Sequence, residues 1–331
     1  MSTQTMNSLS ISAEAILDLH SLNNEGGEGN QIQTRMVEVI VRDPATPGEV
    51  RIESVNAISG DMFKHIQAEH LFRIAQERSL ALCGGCRRFN ANRISADDAF
   101  QSFLSKDKPS SEVVDQLLKT CVIDDLEGIL ITKGNYSVPR KSVVEFGWVV
   151  GRPEQTRSNQ YFHVKYNPEQ RTKDRSADDS GNEGQAIFHR PANSGVYAIV
   201  CHLELGRIGY NDITRQYVLD DAERLQRFRA LLHSVLYTFV RPAGAMISTQ
   251  LPHLVNLRGV VSWSAGVQPA PTFSALNQDF MEQSERVTAA LNRGSQQPVV
   301  EIRRFEDMAG LSELLMELAE GQPLRLGAAR G

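Results

Sequence analysis

Cys83-Gly-Gly-Cys86 presents two thiols on one short loop, with Cys121 downstream and His70 upstream. Thiolates and imidazoles are the ligands that zinc takes, and four of them close a tetrahedral structural site. The paired glycines suit the tight turn that two ligands on one loop require. Cys83, Cys86, Cys121 and His70 are therefore a candidate zinc site, although a second closely spaced Cys or His pair is missing. Packed free thiols would give the same pattern, and a redox pair would need a thioredoxin-like context that the flanking sequence lacks. No other cofactor is suggested, and none is required.

A second candidate spans Asn56–His65. An extended apolar piece ends at Ile58, and Phe63, Ile66, Leu71 and Ala75 then recur near the helical period. Ser59 is placed to cap that helix, and Gly60 would let a ligand come close to the backbone. Free N–H groups and the positive end of the helix dipole suit a phosphate, with Lys64 and His65 one turn further in. A plain capped helix has the same signature. The loop Arg241-Pro-Ala-Gly-Ala-Met246, with Arg241 beside Gly244, is a further phosphate candidate and equally a helix C-cap.

The net charge of −5 on 331 residues argues against a general polyanion binder. Its distribution argues the other way. Between 140 and 175 lie Arg140, Lys141, Arg152, Arg157, Lys165, Arg171, Lys173 and Arg175, against Glu145, Glu154, Glu169 and Asp174. Tyr161, Phe162 and Tyr166 interleave with them. Basic residues among aromatics suit single-stranded nucleic acid, whose phosphates are neutralised while its bases stack. An ordinary surface hairpin is the plainer alternative.

Periodicity predicts the elements that position these groups. Residues 8–19 alternate as a strand with one buried face, and 34–42 and 50–58 are extended. Residues 77–124 read as an insertion, and 126–132 and 142–150 as strands. A long polar excursion covers 151–192, and a core strand covers 196–205. The helix 220–237 places Glu223, Arg224, Arg227 and Arg229 on a solvated face. A strand over 254–263, a helix over 277–292, a strand over 299–305 and a helix over 308–319 follow. The pattern is α+β: an antiparallel sheet with helices on one face. The RNA-recognition fold belongs to that class and binds single strands on its sheet. No apolar run approaches the ~20 residues that span a bilayer, and Met1–Asn7 is polar, so a cytoplasmic protein without membrane contact is expected.

The runs Ser10–Ala13 and Leu19–Asn30, with Ala57-Ile-Ser-Gly-Asp-Met-Phe-Lys-His65, resemble the hallmarks of the DevR-type CRISPR-associated backbone proteins, of the Cas-seven family. Asp124–Leu130 with Arg140-Lys-Ser142 and the loop Arg241–Met246 resemble later parts of the same family. The resemblance covers roughly residues 8 to 292 and rests on order and spacing, not on any one motif. It implies a modified RNA-recognition (ferredoxin-like) palm made from 8–72, 124–151 and 194–320. A finger insertion over 73–123 and a thumb hairpin over 152–193 complete it. It further implies a non-catalytic subunit of a type I Cascade complex. Copies would polymerise along a CRISPR guide RNA and present it for pairing with target DNA. The implied partners are the guide, other copies, and the guide-handle-binding and large subunits.

Carried onto this chain, the RNA contacts are Asn23, Asn24, Ser59, Lys64, His65, Arg140, Lys141, Arg241 and Gly244, with Arg157, Phe162 and Lys165 on the thumb. Some members of related backbone families cut target RNA with an Asp in the loop after the first strand; here 20–31 holds Glu25 and Glu28 but no Asp. A metal-dependent ribonuclease of the same fold is thus the alternative. His20 and His65 as an acid–base pair, and a regulatory protein without RNA, are further readings.

Overall fold

Ser8–His20 forms a thirteen-residue strand, β1, in the middle of a ten-stranded sheet. The structure is a computed structural model that describes residues 4–42, 46, 48–105, 107–166 and 185–327. Leu9, Ile11, Ala13, Ala15 and Leu17 of β1 face the helical core, as strand alternation requires. Ser8, Ser10, Ser12 and Glu14 face the other way and are buried too, which corrects the expectation of one buried face. A distant segment covers them: the Ser10 hydroxyl donates to the Ala270 carbonyl at 3.0 Å, and the Phe273 N–H donates to Ser12 Oγ at 3.0 Å. Small hydroxyl side chains can be buried here because each finds a partner.

The remaining strands of use here are β2 (Asn24–Glu28), β3 (Gln31–Thr34), β4 (Met36–Arg42), β5 (Val50–Ile58), β6 (Val149–Tyr166), β7 (Gln185–Leu203), β8 (His253–Ser264) and β9 (Val300–Phe305). Along the sheet they run β9-β8-β1-β7-β6-β5-β4, and every neighbouring pair is antiparallel. The helices are α1 (Gly60–Glu77), α2 (Asp98–Leu104), α3 (Ser110–Thr120), α4 (Val122–Glu127), α5 (Asp221–Val240), α6 (Phe280–Leu291) and α7 (Met308–Ala319). The chain thus threads β1-α1-β6-β7-α5-β8, with those strands in the spatial order β8-β1-β7-β6.

Helix α5 packs between α1 and α7, and Phe63, Ile66, Phe228, Leu231, Leu232 and Leu315 share the core with the odd-numbered residues of β1. On the opposite face Phe280 and Met281 of α6 pack with Ala198 and Val260. The sheet face on which an RNA-recognition fold would stack bases is therefore covered around β1, β7 and β8. Glu14 on that face is bound by Arg258 at 3.0 Å and by Arg152.

Two further expectations change. The strand expected over 126–132 is shorter, Ile129–Ile131, because residues 126 and 127 close the helix α4. Gly128 ends the helix at φ +67°, where a Cβ would lie 2.5 Å from the Arg140 carbonyl. Arg224 and Arg227 are buried and not on a solvated face. Arg227 Nη1 donates to Asp125 Oδ2 and to the Leu118 carbonyl, each at 2.9 Å. Among the described residues no helix is long and apolar enough to cross a membrane.

Candidate functional site

The N-terminus of α1 is capped as expected, with Ser59 Oγ accepting the Met62 N–H at 3.2 Å. Its surroundings are more occupied than the sequence suggests. Asn23 is buried, and its Oδ1 accepts the Ser59 N–H at 2.7 Å. Asn24 Oδ1 accepts the Ser21 hydroxyl at 2.9 Å. A Cβ on Gly60 would lie 2.5 Å from the Phe146 carbonyl, so backbone packing, not a ligand, explains this glycine. Asn23, Asn24 and Ser59 thus build the corner that holds the helix.

The open surface lies one turn further along, at exposed His65. Two hollows of about 270 and 280 Å³ meet there. The first is lined by His65, Glu69, His70, Arg73, Arg241 and Gly244. The second is lined by Asp61, Lys64, His65, Phe89, Asn90 and Arg93. The His65 ring lies 5.6 Å from that of Phe89. Lys64 Nζ donates to Ser142 Oγ at 2.7 Å, and burial holds its pKa below the usual lysine value, opposed by Glu127. Burial likewise lowers His70, whose Nε2 lies 3.1 Å from the Arg241 carbonyl. Arg241 is both the C-cap of α5, its N–H donating to the Tyr237 carbonyl at 2.9 Å, and an exposed wall of the first hollow. Gly244 lets the loop dock on the β1–β2 turn: a Cβ there would lie 2.5 Å from the Leu22 carbonyl.

Arg140 does not belong to this surface. Its side chain is 0% exposed, and it makes five hydrogen bonds, to the carbonyls of Asp125, Tyr210 and Arg207 and to the carboxylates of Asp125 and Asp212. A guanidinium has five N–H donors, so none is left for a phosphate. Lys141 beside it is exposed and pairs with Glu145 at 3.3 Å and Glu204 at 3.6 Å.

Strands β6 and β7 run on beyond the sheet as a paired hairpin out to Tyr166 and Gln185. Alternation sorts its residues. Arg157, Asn159, Tyr161 and His163 share one face with Ser194, Ala192, Arg190 and Phe188 across the ladder. The His163 and Phe188 rings stack at 5.6 Å, and the Arg190 guanidinium sits 4.8 Å from the Phe188 ring centre. Phe162, 59% exposed, is on the other face against His189, so it does not act beside Arg157. Lys165 pairs with Ala186 along the backbone ladder, and its side chain lies outside the described residues, as do Arg171, Lys173 and Arg175. Arg190 also donates to Thr249 Oγ1 at 3.0 Å, which joins the hairpin to the loop that carries Arg241 and Gly244. His163, Phe188 and Arg190 were missed by sequence reasoning; a period of two counted from Tyr161 reaches His163, whereas Phe188 and Arg190 join that face only through the pairing across the hairpin.

Cys83, Cys86 and Cys121 come together with Asp124, all buried, with their ligand atoms within 4.8 Å of one another. Asp124 takes the place expected for His70, which lies instead beside Arg241 and Tyr237. Burial, followed by the Cys121 thiol, pushes the Asp124 carboxyl well above the usual range.

The residues of the enzymatic readings are engaged elsewhere. Glu25 pairs with Arg35 at 3.0 Å, and Glu28 accepts from Gln33 at 3.0 Å. His20 is buried against Tyr197, and burial lowers its pKa to about 3, so it is neutral near pH 7 and closed to solvent while His65 is exposed.

The family described as "CRISPR-associated negative auto-regulator DevR/Csa2" matches residues 11–285. No curated protein sequence matches the chain. Similar solved structures include one described as "CRISPR RNA-guided surveillance complex, pre-nicking", at 11% identity and TM-score 0.48, covering 93% of this chain and 99% of that one. A second, "CRISPR RNA-guided surveillance complex", has 10% identity and TM-score 0.47, with 96% and 94% covered. Csc2 from Thermofilum pendens has 10% identity and TM-score 0.37, with 97% and 87% covered.

Proposed function

The chain belongs to the DevR/Csa2 family of CRISPR-associated proteins, and on that premise we propose that it is a non-catalytic backbone subunit that binds CRISPR guide RNA in a type I surveillance complex. The order β1-α1-β6-β7-α5-β8 supports reading the sheet and its helices as a modified RNA-recognition palm. With the sheet face covered, the guide runs instead along the rim beside α1. Lys64, His65, Arg93 and Arg241 grip its phosphates there without reading bases. The hairpin over 152–193 is the thumb, and the insertion over 73–123 supplies the finger.

The observation that carries this reading is the hairpin face on which Arg157, Tyr161, His163, Phe188 and Arg190 gather. Stacking and charge on one face suit insertion between bases of a single strand. Repeated copies, each wedging the guide once, leave the segments between them free to pair with target DNA, so sequence is read by pairing.

The test is to coexpress the chain with a CRISPR array and its processing subunit, wash at high salt, separate by size exclusion and sequence any bound RNA. A large species carrying guide-length RNA from the array is expected. A monomer free of nucleic acid, with the partners present, overturns the reading.

A further inference from the structure

We infer that Cys83, Cys86, Cys121 and Asp124 form a closed structural zinc site that pins the base of the 73–123 insertion to the palm. The inference does not rest on RNA binding. Zinc stands about 2.3 Å from a thiolate sulfur and about 2.0 Å from a carboxylate oxygen, so tetrahedral angles put sulfur and oxygen about 3.5 Å apart. Asp124 Oδ2 lies 3.5 Å from Cys83 Sγ and 3.6 Å from Cys86 Sγ. All four ligand atoms fall within 4.8 Å of one another, which leaves room for one ion and none for an iron–sulfur cluster.

The backbone is shaped for these ligands. The Cys86 N–H donates to Cys83 Sγ at 3.2 Å, as suits a thiolate acceptor on a two-ligand turn. Gly85 cannot be another residue, because its Cβ would lie 1.8 Å from the Arg93 carbonyl. Cys121 is the N-cap of α4 and Asp124 sits one turn later, so both reach the same side of that helix. Asp124 Oδ1 is buried with no hydrogen-bond partner, and a bound cation would balance the buried carboxylate. Four protein ligands leave no open position, so the ion's role is structural. It would join the turn at 83–86 to the end of the insertion. The same turn leads into Phe89 and Arg93, which wall the hollow at His65.

The test uses the full-length protein. One zinc per chain should survive gel filtration, and replacement by cobalt should give the intense d–d bands of a tetrahedral site with thiolate-to-metal charge transfer. Asp124→Cys should keep one cobalt per chain and move those bands to longer wavelength, as a sulfur replaces an oxygen. His70→Ala should leave the metal content unchanged. Loss of a cysteine could prevent folding, so the unsubstituted protein is decisive by itself. A folded chain with no stoichiometric metal and freely titrating thiols overturns the inference. So does metal that is lost in His70→Ala and retained unaltered in Asp124→Cys.

Discussion

Arg140 and Asp125 form an ion pair at 2.7 Å with neither side chain exposed. Asp125 also holds Arg227 at 2.9 Å, so one carboxylate ties α4 to the strand at Val138–Arg140 and to α5. Removing Arg140 leaves that buried carboxylate with Arg227 as its one remaining cation and takes the Arg140 donor from three carbonyls; breaking a buried ion-pair network costs about 3–5 kcal/mol. Arg140→Ala should therefore lower stability by about that amount, whereas Lys141→Ala, at the exposed neighbour, should change it by less than about 0.5 kcal/mol. Urea unfolding of the two variants checks this. Equal small effects would sever Arg140 from the core.

Phosphate binding should be found at Lys64 and Arg241. Reversing both charges, Lys64→Glu with Arg241→Glu, should weaken binding to any single-stranded RNA. The slope of log K against log salt should shrink by about 0.7 for each phosphate no longer neutralised. Filter binding across a salt series measures it, and an unchanged slope would move the guide away from α1.

The thumb makes a sharper contrast, because the two faces of one hairpin are compared. Tyr161→Ala or Phe188→Ala should each weaken RNA binding by about 1–3 kcal/mol, the value of one base–aromatic stack. Phe162→Ala, on the opposite face, should change it far less. The same RNA titrated by fluorescence anisotropy distinguishes them. Phe162 outranking both would mean that the hairpin meets RNA with its other side.

His20 supplies a pH dependence. Its pKa falls from 6.5 to about 3 on burial, so below pH 6.5 the unfolded chain binds a proton that the folded chain refuses. Its contribution to stability is therefore present above pH 6.5 and is lost as pH falls toward 3, by up to about 1.4 kcal/mol per pH unit. Glu127 acts in the opposite sense, since burial raises its pKa from 4.5 to about 7. The informative quantity is thus the difference between wild type and His20→Gln. That difference should change steadily below pH 6.5 and be flat above it. A flat difference throughout would show that His20 protonates in the fold.

Local rules made part of this site legible. Ser59 was readable as a cap from its place before an apolar helical run, and the three cysteines as a cluster from their type and spacing. Arg140, Arg224 and Arg227 were not, because charge is expected at the surface and their carboxylate and carbonyl partners lie on other elements. Ser8, Ser10 and Ser12 look like a solvent face for the same reason: the segment that covers them lies some 260 positions away. Asp124 lay within reach, one helical turn from Cys121, but it fell at the join between the insertion expected over 77–124 and the strand expected over 126–132, where no helix was read. His70 took its place in the expectation because imidazole is the more common partner of thiolates.

Gly60 separates two accounts of the helix N-terminus by the sign of one substitution. If the glycine is there to admit a ligand, Gly60→Ala should stabilise the free protein, since alanine in a helix is favoured over glycine by about 1 kcal/mol. If it is there because β-strand backbone packs against it, the new Cβ meets the Phe146 carbonyl at 2.5 Å and the Gly147 carbonyl at 3.2 Å. Backbone atoms cannot swing aside as a side chain can, so α1 must shift. The packing account predicts destabilisation of the RNA-free protein in a thermal melt, accompanied by weaker RNA binding because His65 and Lys64 move with the helix. A stabilised protein whose only defect is in RNA affinity would return the glycine to the phosphate.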